Sequence, residues 1–129
     1  MTGLALHPLN LQGLLLRGFG IAFLAWVGLF VVFGLYTVRR LHRCPETRDR
    51  IGVEFVRGWT VVNVAMALSW PRRVVDYLDR HSHPVVHFHA ATIRAHTTRA
   101  DRVLARACYA AHVLSVLLFL AWAGVRATG

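Results

Sequence analysis

GFGIAFLAWVGLFVVFGLYTV, residues 18–38, is 21 positions long and carries no charge. A helix of that length spans about 30 Å, the thickness of a hydrocarbon core. Arg17 closes one end, and Arg39 and Arg40 close the other. A secretory leader is the competing reading, but the apolar run is too long for one. No basic cluster precedes it, and no small-residue cleavage site follows. The run predicts a transmembrane helix.

A second run, ACYAAHVLSVLLFLAWAGV at 107–125, is bracketed by Arg106 and Arg126 and predicts a second span. In it Ala107, Ala111 and Ser115 recur every fourth position, a small-residue stripe on which another helix can pack closely. Cys108, His112 and Ser115 share a face, so that face is expected to meet protein. Between the runs, residues 51–70 are ambiguous. The uninterrupted apolar part, GWTVVNVAMALSW, has thirteen residues and includes Asn63, so it reads as an interfacial or buried helix. Pairing of Glu54 with Arg57 would make a marginal third span tolerable.

Charge placement favours two spans over three. Residues 39–106 hold thirteen of the fifteen basic residues, all of them arginine, and all six acids. With two spans this arginine-rich middle lies on one side of the membrane, as the positive-inside rule asks. The composition agrees: 129 residues, 56% hydrophobic, net charge +9 and mean hydropathy +0.47. Typical soluble domains are about 45–50% apolar. The expected fold is an all-α integral membrane protein, 1–129 forming a single membrane domain. It has spans at 18–38 and 107–125, and amphipathic interfacial helices in the basic segment 39–106.

In that segment Pro71 marks a helix start, and PRRVVDYLDR places Asp76 and Arg80 four apart. A second start is expected at Pro84. Nothing after it breaks a helix before Gly124, which allows one long helix from about 85 to 125. On such a helix His89, Ile93, His96, Ala100 and Val103 form one stripe. Arg99, Arg102 and Arg106 form another, which with Arg39 and Arg40 is suited to anionic lipid headgroups.

The run HSHPVVHFH at 81–89 raises three readings. His83 and His87, four apart, could share a metal ion, with Asp79 or His81 completing the set. His112, inside the second span, or His89 could ligate a b-type haem. The reading preferred here is that the histidines are interfacial, amphipathic and mostly neutral. No cofactor is expected, and His89 and His96 are the pair to test first. Cys44 and Cys108 form no CxxC pattern and imply no disulfide framework.

LLLRGFGIAF is similar, through Arg17 and Gly20, to the opening of the first span in the cytochrome b anchor subunits of succinate dehydrogenase. HAATIRAH resembles that family's later histidine motif through His89 and His96. The resemblance implies a haem b and a quinone pocket. Leu16 stands where the family has a histidine, and SWPRRVVDYLDRHSHP replaces its long apolar span.

The sequence holds no phosphate-binding glycine loop, no nucleophile elbow, no HExxH and no isolated carboxylate pair for acid–base work. The arginines cluster beside the spans, which argues against nucleic acid. The function expected is that of a non-catalytic accessory subunit in a multi-subunit complex, stabilising neighbouring membrane subunits and anionic phospholipid. A respiratory or other energy-converting complex of a mitochondrial inner or bacterial cytoplasmic membrane is the expected setting. The alternatives are the haem and quinone anchor and a histidine-rich metal-binding membrane protein.

Overall fold

The computed structural model describes residues 8–51, 58–81 and 89–128. Their regular structure is all helical, with no strand among them. In order they form α1 (Pro8–Phe33), a π-helical turn (Gly34–Val38), α2 (Arg39–Arg43), α3 (Pro45–Arg48), α4 (Trp59–Ser69), α5 (Arg72–Arg80), α6 (Ala90–Ala95) and α7 (Arg99–Thr128). The backbone stays helical through both joints of the π turn, so α1 runs on into α2 without a break.

Two helices are long and apolar enough to cross a membrane: Leu11–Arg43 and Arg99–Thr128. Only 22% and 17% of their most apolar windows are buried. In a water-soluble domain, helices this apolar bury most of that surface. Part of the marginal span at 51–70 lies outside the described residues. Its described helix, α4, has 11 residues and reaches about 16 Å, half a hydrocarbon core. Of the interfacial and buried readings of this stretch, α4 takes the buried one. Thr60, Val61, Asn63, Val64, Ala65, Ala67 and Leu68 are all buried, so α4 is a core helix covered nearly all round. Helix α5 does have the expected amphipathic form, with Val75 buried on one face and charged residues opposite.

The chain divides into two compact units. The first unit joins the part of α1 up to Val27 with the part of α7 from Ala110. These two helical segments run antiparallel. Phe19 meets Phe119 with ring centroids 5.4 Å apart, and Trp26 meets His112 at 5.0 Å. Leu118 lies over Gly18, where an added Cβ would come within 3.6 Å of it. Most other large side chains of this unit are exposed, including Ile21, Leu24, Leu114, Leu117 and Leu120.

The second unit, Gly28–Tyr109, has a true core. Phe33, Leu41, Ile51, Val64, Val75, Ile93 and Ala105 are fully or almost fully buried. Each large aliphatic or aromatic side chain among them contributes about 1.5–3 kcal/mol by leaving water. Two glycines serve specific contacts. At Gly34 an added Cβ would lie 3.4 Å from the Val61 side chain, which places α4 against the π turn. Gly58 caps α4 at φ 95°, with the Phe30 ring 3.3 Å from where a Cβ would sit.

The single helix expected from about 85 to 125 is corrected too. The chain breaks between Ala95 and Arg99. Thr98 and Asp101 form a capping box there. The Thr98 N–H and hydroxyl each donate to Asp101 Oδ2 at 2.7 Å, and the Asp101 N–H returns a bond to Thr98 Oγ1 at 3.3 Å. The predicted stripe His89–Ile93–His96–Ala100–Val103 is therefore split between two helices.

Candidate functional site

The polar groups of the second unit gather at three places. The first is Asp101, buried at the start of α7. Besides the capping box, Oδ1 accepts a 2.7 Å bond from the Thr37 hydroxyl, and Oδ2 is paired with the Arg40 guanidinium. Thr37 lies in the π turn and is fully buried. One carboxylate therefore joins the end of the first long helix to the start of the second. Arg40, expected at a lipid headgroup, has this structural partner and keeps about half of its side chain exposed, 49%.

The second place is a basic recess. Leu68, Ser69, Trp70, Pro71, Arg72, Arg94, Arg102 and Arg106 line about 360 Å³ of it, and a neighbouring lobe adds Asp76. Arg94 is fixed from below: its Nε–H donates to the Ala67 carbonyl at 2.9 Å, and another guanidinium N–H donates to the Trp70 carbonyl at 2.8 Å. It thus satisfies the C-terminal carbonyls of α4. Arg102 reaches the carbonyls of Arg94 and Thr97 at 3.3 and 3.4 Å. Its Nε–H and the Ser69 hydroxyl are buried without a hydrogen-bond partner among the described residues. Desolvation, then the charges of Arg72, Arg102 and Arg106, lower the Arg94 pKa, with Asp76 opposing. The cations repel one another across the recess, which suits it to an oxyanion.

Of the arginines expected at lipid, Arg102 and Arg106 line this recess, whereas Arg39 and Arg99 are exposed elsewhere on the surface. Sequence reasoning missed Arg72 and Arg94. They come from other helices, and no local spacing links them to Arg102.

The third place joins Cys44, Glu46 and His96, whose ligand atoms all lie within 4.8 Å of one another. Cys44 caps the short helix α3, with Pro45 in its first turn. The turn is fixed by the buried Thr47, whose hydroxyl donates to the Leu41 carbonyl at 2.6 Å. His96 ends α6. Its Nδ1–H donates to the Thr92 carbonyl at 2.9 Å, and Nε2 faces Glu46 Oε2 at 2.5 Å. The two segments are also tied by the backbone, since His89 N–H donates to the Arg50 carbonyl at 3.0 Å.

The backbone N–H of Glu46 lowers the Cys44 thiol pKa, helped by the Thr47 side chain and by His96. The His96 pKa is raised, first by the Thr92 carbonyl and then by Glu46. His96 was singled out from sequence, but paired with His89. The structure instead places them at opposite ends of α6, with His89 as the cap before it.

His83 and His87, the expected metal pair, lie outside the described residues. His112, the first haem candidate, is exposed and packs on Trp26, while its carbonyl accepts a bond from Ser115 at 2.8 Å. His89 belongs to the other unit. In the small-residue stripe Ser115 is buried, Ala111 half-buried and Ala107 exposed. The buried face of α7 in the second unit is Asp101, Ala105 and Cys108.

No family model, curated protein or solved structure matches the chain. The likeness to the succinate dehydrogenase anchors therefore stands on Arg17, Gly20, His89 and His96 alone. Arg17 and Gly20 lie on α1, and the two histidines flank a six-residue helix.

Proposed function

We propose that this chain is an integral membrane protein that acts as a non-catalytic packing subunit of a larger membrane assembly. In this reading an anionic phospholipid headgroup occupies the arginine recess. The observation that carries the reading is the uncovered apolar surface of α1 and α7. Ile21, Leu24, Val31, Leu117 and Leu120 are all more than half exposed. Such a surface needs lipid or other subunits to cover it. The recess supports the lipid component. Arg106 directly precedes the apolar run at 107–125, and Trp70 packs edge-on against Tyr109 at 6.3 Å. Aromatic rings beside arginines at the mouth of an apolar helix are the pattern of a membrane interface.

Mild detergent extraction from the native membrane tests both parts. Stoichiometric membrane partners are expected to co-purify. Recovery of the chain as a stable monomer or homo-oligomer would contradict the subunit role. A reduced haem α-band lost in His112→Ala would favour the redox-anchor alternative. For the lipid, nanodiscs of phosphatidylglycerol are expected to stabilise the chain more than those of phosphatidylcholine. Arg106→Gln should diminish the difference. If inorganic phosphate matched the effect in phosphatidylcholine, the recess would be a site for a free anion instead.

A further inference from the structure

We propose that Cys44, Glu46 and His96 bind one divalent transition-metal ion of the zinc type. The three groups supply sulfur, oxygen and nitrogen, a donor set that suits Zn²⁺ and not the oxygen-only preference of Ca²⁺ or Mg²⁺. They come from segments 50 residues apart that the fold brings together, and the described residues contain no other such cluster.

Three features suit them to an ion. The Thr92 carbonyl holds the Nδ1–H of His96, which turns Nε2 toward Glu46. This is the second-shell arrangement that orients metal-binding histidines. Cys44 is half-buried at a rigid turn, whereas Glu46 is exposed and free to adjust. Adjustment is needed, because the 2.5 Å separation of Nε2 and Oε2 must widen to about 3.3 Å, the ligand–ligand edge of a tetrahedral zinc site. M²⁺ held by one thiolate, one carboxylate and a neutral imidazole forms a neutral site, and the thiol proton leaves to solvent on binding. Glu46 and His96 border a surface recess, and water from it would complete the tetrahedron.

This site needs neither lipid nor a partner subunit, so it stands apart from the function proposed above. The test is Co²⁺ titration of the full chain in detergent, reduced and stripped with chelator. One ion per chain is expected, with a thiolate-to-cobalt charge-transfer band in the near ultraviolet that Zn²⁺ displaces. Cys44→Ser should lose the band, and Cys108→Ala should keep it. Glu46→Gln and His96→Gln should each weaken Co²⁺ binding by about tenfold or more. Glu46 is exposed, so its variant reports on the site even if Cys44→Ser fails to fold. No band in the parent chain, a band surviving Cys44→Ser, or unchanged affinity in Glu46→Gln would overturn the proposal. A band lost in His83→Ala/His87→Ala would also overturn it and move the ion to the histidine run.

Discussion

The two units of this chain solve the same problem in opposite ways. The first unit is two antiparallel apolar segments joined by a few ring contacts and one close approach at Gly18. Most of its apolar surface is left uncovered. The second unit buries its apolar residues around α4 and pins the ends of the long helices with Asp101. The first unit depends on what surrounds it, whereas the second is organised by its own buried polar contacts.

The largest expected effect concerns that pinning. Asp101→Ala removes the carboxylate half of the capping box and its pairing with Arg40, and leaves the buried Thr37 hydroxyl without its acceptor. A cap contributes about 1 kcal/mol, and a hydrogen bond to a charged group about 1.5–3. A loss of about 4 kcal/mol is expected, read by denaturant unfolding in detergent. A loss below about 1 kcal/mol would mean that the second unit holds together by apolar packing alone.

A matched pair of substitutions tests the contrast directly. Leu117 in the first unit and Tyr77 on α5 in the second are exposed to a similar degree, 58% and 60%. In a translocon insertion assay Leu117→Arg should cost about 3 kcal/mol. Tyr77→Arg should change stability by no more than about 0.5 kcal/mol. Equal effects would erase the distinction between the units.

A smaller effect is expected at Gly58. Its positive φ and the nearby Phe30 ring make Gly58→Ala destabilising by about 1–2 kcal/mol. An unchanged melting temperature would show that the start of α4 is not fixed as described.

The smallest effect is electrostatic. In metal-free protein His96 titrates above its ordinary value, chiefly through the Thr92 carbonyl and then Glu46. A raised folded pKa gives stability that is fully present below the unfolded value of about 6.5 and is lost as pH rises through the folded one. Glu46→Gln should lower the His96 pKa, as followed by NMR, without restoring the unfolded value. No change would show that the pair does not form.

The apolar runs could be read from sequence because hydropathy is a local property, and the structure places both on long helices. The fate of α4 could not be read. Thirteen apolar residues look the same whether they meet headgroups or the side chains of the π turn and α6. The break before α7 carries a local signal, Thr98-Arg99-Ala100-Asp101, which the lack of glycine or proline obscured. Arg102 and Arg106 of the basic recess were visible as a helical stripe. Arg72 and Arg94 were not, because four helices assemble that recess. His96 stood out only among its neighbouring histidines, and its actual partners lie 50 positions upstream of it in an unremarked CPE turn.

The central claim is that the exposed apolar faces of α1 and α7 are covered by a bilayer or by other membrane subunits. Thiol labelling in open native membrane sheets tests it most directly, with Leu24→Cys, Leu117→Cys and, as a reference on α5, Arg73→Cys, each in a background lacking the native cysteines. The account predicts that a membrane-impermeant maleimide labels Arg73→Cys readily and reaches the other two only after denaturation. Labelling of Leu24→Cys and Leu117→Cys at the rate of Arg73→Cys would contradict it.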